Sequence, residues 1–385
     1  MAKYSIPYGR QHVTDEDIKA VADVLKSDYL TQGSKVKEFE QAFAHYVDAK
    51  YAVSVSSGTA ALHLANLALG LKKGQKVLTT PTTFAATANS VLFCGAEVDF
   101  IDIDPDTYLM DLGKLEDKLS SVATNTYVGV IPVDLAGLSV DTEKLRKIAK
   151  KYSLWIIEDA CHAPGGYFID SEGRKVLCGS NYYADLSCFS FHPVKHITTG
   201  EGGMVTTNDE RIYKKLLRLR SHGITKEGMP NGEGGWYHEM RELGYNYRLP
   251  DINCALGLSQ LKRAQEGLLK RQQIAAHYNL AFQRIDKIKI QAQPSNKKNA
   301  YHLFIIEVED RKKLYDHLQQ NNIFVQIHYL PTHLHPYYKS LGWGEGNFPY
   351  AEKYYNRCIS LPMFPTLAMD EQKYVIQQVL EFYNG

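Results

Sequence analysis

Up to residue 250, short apolar runs rich in β-branched residues alternate with helical patterns. Ala60–Leu69, which is nearly all apolar, and Thr142–Tyr152 predict helices. The strand candidates are Ala52–Val55, Lys76–Thr79, Glu97–Ile101, Tyr127–Val133 and Leu154–Ile157. Strands separated by helices are typical of a mostly parallel sheet with crossover connections, so the pattern predicts an α/β fold.

After residue 250 the pattern changes. Asp251–Ile285 predicts one long helical stretch, and Lys287–Asn299 is polar and contains a proline. The remaining elements predict a smaller α+β domain: strands at His302–Val308 and Phe324–His328, and helices at Arg311–Asn321 and Asp370–Tyr383. We therefore expect two domains, 1–250 and 251–385. The polar, glycine-rich segment Thr225–Gly235 predicts an exposed, mobile loop.

Composition narrows the classes of function. The 385 residues include 44 Lys and Arg against 43 Asp and Glu, a net charge of +1, which disfavours a nucleic-acid-coating role. No apolar run approaches the roughly 20 residues of a membrane span, and Met1–Arg10 lacks a secretory signal, so we expect a soluble cytoplasmic protein with no membrane partner. The six cysteines include no CxxC pair, which predicts free thiols and no zinc or other metal site.

The first motif that indicates chemistry is Ser56-Ser57-Gly58-Thr59-Ala60-Ala61, between a predicted strand and a predicted helix. Gly58 lets the backbone approach a ligand, and a helix start offers free N–H groups to an anion, most naturally a phosphate. The alternative is a plain helix cap by Ser57 or Thr59. The chain contains neither GxxxxGK[ST] nor GxGxxG, so the common nucleotide loops do not explain this motif.

Two further motifs supply a carboxylate and an amine. Asp159 ends the apolar run that starts at Trp155, where α/β proteins build their sites, although it could instead cap a helix. Lys195 lies in a Gly/Thr-rich turn after the aromatic β-run Ser187–Phe191, and could be a Schiff-base amine or an ordinary surface lysine. A phosphate cradle, a strand-end Asp and a sheltered Lys are together the parts of a pyridoxal 5′-phosphate site.

The sequence resembles the sugar aminotransferases of the DegT/DnrJ/EryC1/StrS family, within the fold type I pyridoxal-phosphate enzymes. The resemblance covers nearly the whole chain and implies a large cofactor-binding domain with a smaller C-terminal α+β domain. The segments that show the resemblance are, in chain order, Leu30–Gly33, Ser57–Leu62, Pro81–Asn89, Glu158–Ala163, Lys195–Gly203, Gly244–Arg248 and Gln326–Tyr329.

Position by position, the resemblance implies that Lys195 forms the Schiff base and Asp159 pairs with the pyridine nitrogen. Phe84 would stack on the cofactor ring, and His162, where many relatives have Gln, would lie against the ring face or its 3′-oxygen. The implied phosphate ligands are Gly58, Thr59, Ser190 and, from the neighbouring subunit of a homodimer, Asn246. Taken alone, Phe84 could equally be a core residue and His162 a structural histidine.

Some family members are dehydratases that carry His at the lysine position. Lys195 therefore favours transamination, in which its amine shuttles the proton between two carbon centres. His196 stands where relatives often have Pro, which leaves the geometry of this turn open.

The N-terminal segments Ile6–Gln11 and Asp28–Gly33 resemble the branch of the family that serves pseudaminic acid biosynthesis. That branch implies L-glutamate as donor and a UDP-linked 4-keto sugar as acceptor. The residues expected to face these substrates are Tyr8, Asp28, Tyr29, Leu30, Thr31, Arg248, His328 and Tyr329. The alternatives are an aminotransferase for another UDP- or dTDP-ketosugar, or a non-catalytic homologue that keeps the fold.

Overall fold

The computed structural model describes residues 4–226 and 236–384. Most of the predicted loop Thr225–Gly235 lies outside the described residues. The helices are α1 (Asp15–Leu25), α2 (Ser34–Val47), α3 (Gly58–Ala68), α4 (Ala86–Phe93), α5 (Leu112–Ser120), α6 (Thr142–Tyr152), α7 (Glu210–Arg220), α8 (Asp251–Leu261), α9 (Ala264–Phe282), α10 (Arg311–Gln320), α11 (Pro336–Lys339), α12 (Pro349–Arg357) and α13 (Met369–Asn384).

The strands follow the same chain order. They are β1 (Ile6–Pro7), β2 (Tyr51–Val55), β3 (Lys76–Thr79), β4 (Glu97–Phe100), β5 (Gly129–Ile131), β6 (Trp155–Asp159), β7 (Tyr167–Ile169), β8 (Lys175–Leu177), β9 (Leu186–Ser190), β10 (Gly203–Thr207), β11 (Ile224–Thr225), β12 (Glu239–Met240), β13 (Ile288–Ile290), β14 (Lys297–Lys298), β15 (Phe304–Val308), β16 (Ile323–Phe324) and β17 (Cys358–Leu361).

A seven-stranded sheet in the order β2-β10-β9-β6-β5-β3-β4 forms the centre of the molecule. The pairs from β9 to β4 are parallel, whereas β10 runs antiparallel to both of its neighbours. Helices cover the sheet, so most residues of its strands are buried, including polar ones such as Ser187 and Thr206. The predicted α/β class with a mostly parallel sheet is confirmed.

Local sequence explains where the crossover helices begin and end. In α6 the Asp141 side chain accepts the Lys144 N–H at 2.9 Å, and Ser153 ends the helix in a left-handed conformation. Leu145 and Ile148 point into the core of the sheet domain. The predicted bounds of α6 and β3 match the structure.

The predicted helix Asp251–Ile285 is in fact two helices, α8 and α9, because the backbone leaves the helical region at Arg263. The physical reason is that the two halves are buried in different cores. α8 packs on α1 and α2 through residues such as Cys254, whereas α9 places Tyr278 and Phe282 in the core of the C-terminal sheet β13-β15-β17. One straight helix could not face both cores.

The predicted strand Phe324–His328 is also shorter than expected. Only Ile323–Phe324 forms a strand, in parallel with Ile6–Pro7, and Gln326 makes a single bridge to Ser360. The chain then turns so that His328 is buried against Ser360. Because Ile6 is fully buried in the C-terminal core, the first strand belongs physically to that core, and the division at residue 250 stays a prediction.

The structure also bears on the state of the cysteines and on membrane-spanning helices. All six cysteines are free thiols, and four of them are buried. Among the described residues, none of the helices combines the length and the apolar character that crossing a bilayer requires.

A close approach between β5 and β6 gives a test of this packing. Gly129 is paired with Trp155, and a Cβ at Gly129 would overlap the Trp155 ring. We expect Gly129→Ala to lower the free energy of unfolding by about 1–3 kcal/mol, as overpacking does. Urea denaturation followed by circular dichroism measures this change.

The matched control is Gly267→Ala, a glycine within α9 whose added methyl would meet only Pro365 Cγ, at 3.6 Å. This change should be neutral or stabilising by up to about 1 kcal/mol, because alanine has the higher helix propensity. Equal unfolding free energies for the two variants would contradict the proposed role of the Gly129–Trp155 contact.

Candidate active site

A cavity of about 460 Å³ lies at the carboxyl ends of the central strands. Its walls come from the end of β6, the start of α3, the turn after β9 and the segment before α11. The site residues predicted from the sequence that line it are Tyr8, Gly58, Thr59, Phe84, Asp159, His162, Ser190, Lys195, His328 and Tyr329. The topology thus brings together side chains from distant parts of the chain.

Asp159 is held at the floor of this cavity with only 5% of its surface exposed. Its Oδ2 accepts a hydrogen bond from Thr87 Oγ1 at 2.7 Å, and its Oδ1 accepts one from the Cys161 N–H at 3.2 Å. Residues 160–166 form turns and irregular structure, so Asp159 does not cap a helix. A fixed carboxylate at this position can accept a hydrogen bond from a protonated ring nitrogen.

The neighbouring Glu158 points to the opposite face of the sheet, as strand geometry requires. There it accepts from the Gly179 N–H and from Ser187 Oγ, and it lies beside Asp134 and Cys178. Burial, helped by the charge of Glu158, raises the pKa of Asp134. This acidic cluster is outside the cavity.

Lys195 lies half-buried in the turn after β9, where its N–H donates to the His192 carbonyl at 2.9 Å. Within residues 4–226 and 236–384, its Nζ has neither an ion pair nor a hydrogen bond. Burial lowers the pKa of Lys195, and the charge of Asp159 partly opposes that shift. A lysine with a lowered pKa supplies the neutral amine that Schiff-base chemistry needs, so the surface-lysine alternative does not hold.

The start of α3 faces the same cavity. Ser57 Oγ accepts the Ala60 N–H at 3.1 Å and so caps the helix, as the helix-cap alternative for this motif predicted. Yet the segment also approaches β9 so closely that a Cβ on Gly58 would lie 2.8 Å from Ser190 Cβ. Gly58, Thr59 and Ser190 therefore form a narrow cradle at the positive end of a helix, which fits a phosphate group.

His162 and Phe84 line the space between the cradle and the C-terminal segment. The Nδ1 of His162 accepts the Ala136 N–H at 3.3 Å, so Nε2 carries the proton and donates to Tyr329 Oη at 3.2 Å. Burial lowers the pKa of His162, which keeps the ring neutral. Phe84 is 62% exposed, with its ring 5.9 Å from that of Tyr329, so it is not a core residue and is placed to stack on a planar ligand.

Tyr8 and His328 form a polar wall opposite Asp159. Their rings are 5.3 Å apart, and His328 Nδ1 shares a hydrogen bond of 2.8 Å with Ser360 Oγ. Burial lowers the pKa of His328 to about 3, so this ring is also neutral. Burial raises the pKa of Tyr8, which keeps its hydroxyl protonated.

The structure does not bring all the predicted residues to this cavity. Asn246 and Arg248 lie in the segment after β12 and are not part of its lining. Asp28 and Tyr29 line a different cavity beside α1 and α8, and Leu30 and Thr31 are exposed next to it. The roles implied for these residues stay predictions.

The sequence analysis assigned no role to three residues that line the cavity, Thr87, Thr83 and His302. Thr87 orients Asp159, and Thr83 is within 2.7 Å of the Thr87 hydroxyl. Both belong to the Pro81–Asn89 motif, so the sequence marked this segment but did not show which residues the two hydroxyls contact. The third is His302, whose ring centroid is 4.3 Å from that of His162.

The cavity combines a phosphate cradle, a phenylalanine placed to stack on a ring, a buried carboxylate and a lysine of lowered pKa. This combination defines a pyridoxal-phosphate-dependent transferase. The model of the DegT/DnrJ/EryC1/StrS aminotransferase family matches residues 11–380. The chain belongs to this family, and it is a nucleotide-sugar aminotransferase whose cofactor is pyridoxal 5′-phosphate.

Individual relatives agree with this assignment. The chain is 42% identical over 376 residues to the UDP-4-amino-4,6-dideoxy-N-acetyl-β-L-altrosamine transaminase of Campylobacter jejuni, covering 96% of this chain and 95% of the relative. Its fold matches Helicobacter pylori PseC, an aminotransferase involved in pseudaminic acid biosynthesis, with a TM-score of 0.88, 32% identity, and 99% and 100% coverage. It also matches the PLP form of Spr1654 from Streptococcus pneumoniae, with a TM-score of 0.88, 29% identity and 97% coverage of each chain.

The residues present fit this cofactor. Gly58, Thr59 and Ser190 would hold its phosphate, Phe84 would stack on its ring, Asp159 would accept from its pyridine nitrogen and Lys195 would bind its aldehyde carbon. When bound, pyridoxal phosphate supplies an electron sink for the carbanion that transamination generates.

The Thr87–Asp159 hydrogen bond provides a test of this geometry. We expect Thr87→Val to lower kcat by roughly 10- to 100-fold, because a hydrogen bond to a charged group contributes about 1.5–3 kcal/mol. The absorption maximum of the bound cofactor should shift as well, since Asp159 would lose its orientation. Steady-state kinetics and a visible spectrum measure both effects.

Thr87→Ser keeps the hydroxyl and serves as the control, with kcat near that of the native enzyme. If Thr87→Val retained both the native kcat and the native spectrum, Thr87 would have no part in positioning Asp159.

Proposed function

We propose that this enzyme transfers the amino group of L-glutamate to the 4-keto carbon of UDP-2-acetamido-2,6-dideoxy-β-L-arabino-hexos-4-ulose. The products are UDP-4-amino-4,6-dideoxy-N-acetyl-β-L-altrosamine, an intermediate for pseudaminic acid, and 2-oxoglutarate, the keto acid that L-glutamate becomes. The observation that carries the reaction type is Lys195, a half-buried amine of lowered pKa in the same cavity as Asp159. The support for this particular sugar is the likeness to the C. jejuni transaminase and to PseC.

Lys195 Nζ is the group that moves the proton. Because burial favours its neutral form, Nζ can take a proton from the α-carbon of glutamate once it is released from the cofactor. In the second half of the cycle the same atom returns a proton to the sugar at C4. The fixed Asp159 carboxylate takes no part in this proton transfer; its proposed role is to accept a hydrogen bond from the ring nitrogen of the cofactor.

Tyr8, His328 and Tyr329 form the side of the cavity that we assign to the sugar. Their protonated hydroxyls and neutral imidazole offer directional hydrogen bonds without adding a charge. Such a wall suits the hydroxyl and acetamido groups of a sugar.

We also propose that a second copy of the chain completes each site. Asn246 and Arg248, together with the exposed Tyr29 and Leu30, would reach the cavity of the partner rather than their own. Arg248 has a planar guanidinium that suits either the carboxylate of glutamate or the diphosphate of the sugar nucleotide. The cytoplasmic location stays a prediction of the sequence.

The shared site can be tested by mixing two inactive variants. Lys195→Ala lacks the amine, and Asn246→Ala lacks the proposed phosphate ligand. After subunit exchange, half of the dimers are mixed and each holds one intact site, so activity should rise to roughly a quarter of the native value in a symmetric shared-site dimer. No recovery would indicate that each site is built from one chain.

The spectrum of the purified holoenzyme tests the chemistry and the substrate separately. The visible band of the bound cofactor should bleach with L-glutamate and return with the UDP-4-keto sugar. Lys195→Ala should lose both the native band and nearly all turnover, while Lys195→Arg keeps the charge as a control and should be equally inactive.

The outcomes separate the alternatives. Bleaching that returns only with another UDP- or dTDP-ketosugar would keep the aminotransferase and replace the substrate. A protein that binds the cofactor and never reacts with an amino donor would be a non-catalytic homologue.

A further inference from the structure

A second, smaller cavity lies on the other side of the Lys195 turn. Its volume is about 40 Å³, which is room for a few water molecules at roughly 10–15 Å³ each. It is formed by the Lys195 turn, the N-terminal segment around Arg10 and the first turns of α9. Lys195 lines both this cavity and the substrate cavity, so it separates the two.

The deepest cation in this cavity is Arg271, which is only 1% exposed. Its Nη1 donates to the carbonyl oxygens of Tyr301, His302 and Met363 at 2.9–3.3 Å. Its Nε is buried without any acceptor. In the described part of the chain no carboxylate pairs with this guanidinium, although a buried charge normally requires one.

The other charged side chains around the cavity leave it with a net positive charge. Arg263 is paired with Asp17 at 2.5 Å, and Lys270 is paired with Glu266 at 2.7 Å. The exposed Arg10 guanidinium lies 5.7 Å from the centre of the Phe364 ring and has no carboxylate partner among the described residues. Two cations in the lining, Arg10 and Arg271, therefore have no carboxylate partner within the part of the chain that the structure describes.

Two features of the lining determine where a ligand could lie. The first turn of α9 contributes Ala264 and Gly267, and the N-terminus of a long helix favours an anion. His196 offers the opposite chemistry: its Nε2 donates to the Ala300 carbonyl at 2.9 Å, which leaves the buried Nδ1 of the neutral ring as an acceptor. An anion would have to lie on the Arg271 and Arg10 side.

We propose that this cavity binds a small inorganic anion of the halide class, with chloride as the abundant example, between Arg271 and Arg10. The volume accommodates a monatomic ion. The bound anion would supply the missing counter-charge of Arg271 from behind the catalytic lysine.

Such an anion would also act on Lys195. The positive charge of Arg271 contributes to the lowered pKa of Lys195, after the larger effect of burial. A negative charge beside Arg271 would offset that contribution and favour the protonated lysine. The site would thus be a modulating site behind the reaction centre, distinct from the cavity that binds substrate.

Anomalous diffraction from holoenzyme crystals soaked in sodium bromide locates the ion directly. We expect a bromide peak within hydrogen-bond distance of Arg271. A cavity that shows only non-anomalous, water-like density at the same bromide concentration would overturn the proposal.

A solution measurement excludes binding at crystal concentrations only. The Tm of the holoenzyme should rise saturably with sodium chloride when sodium gluconate keeps the ionic strength constant, because an ion that binds only the folded state stabilises it. Arg10→Gln should shift the chloride midpoint several-fold upwards, since it removes a cation from the cavity. Lys37→Gln removes the same charge from an exposed position of α2 and should leave the midpoint unchanged.

Arg271→Met should abolish the chloride dependence, and Arg10→Gln keeps the test valid if Arg271→Met fails to fold. Equal chloride midpoints for Arg10→Gln, Lys37→Gln and the native protein would contradict the site. None of these readouts measures turnover, so they are independent of the proposed sugar substrate.

Discussion

The parallel pairing of β6 with β9 is the constraint on which the site depends. It places Asp159, at the end of β6, opposite Cys188 in β9. The Asp159 carboxylate therefore lies beside the end of β9, where Ser190 and the Lys195 turn follow. A shift of one residue would turn Asp159 to the face that Glu158 occupies. The same edge receives the start of α3, and Gly58 allows the approach that closes the phosphate cradle.

Burial accounts for most of the chemistry at this edge. The rings of His162, His302 and His328 all have lowered pKa values because they are withdrawn from water. Neutral rings hold fixed hydrogen bonds, so they shape the cavity without competing with the charges of the cofactor and substrates. Lys195 responds to the same burial, and there the consequence is a reactive amine rather than a structural contact.

The sequence contains enough to predict the sheet, the bounds of α6 and β3, and a site that includes Lys195, Asp159 and Gly58, which line one cavity. Each of these lies in a local pattern or a recognisable motif. Thr87 was assigned no role because its partner is 72 residues away and hydroxyls are common, so nothing local reveals the contact. The break between α8 and α9 was missed for a related reason: it follows from two cores competing for one helical stretch, which periodicity does not encode. Asn246 and Tyr29 do not line the substrate cavity of their own chain, and a single sequence does not show where a second chain would lie.

The first strand has a mechanical consequence for the enzyme. Ile6 is buried in the C-terminal core, β1 is paired with β16, and the carbonyl of Tyr8 accepts the Met363 N–H at 2.9 Å. Tyr8 and His328 are therefore carried by the same body, while Asp159, Ser190 and Phe84 are carried by the central sheet and the helices on it. A displacement of the C-terminal core relative to the central sheet would therefore move Tyr8 and His328 together and change the width of the cavity. A segment fused ahead of Ile6 would be attached directly to the strand that precedes Tyr8, although Lys195 lies far along the sequence from it.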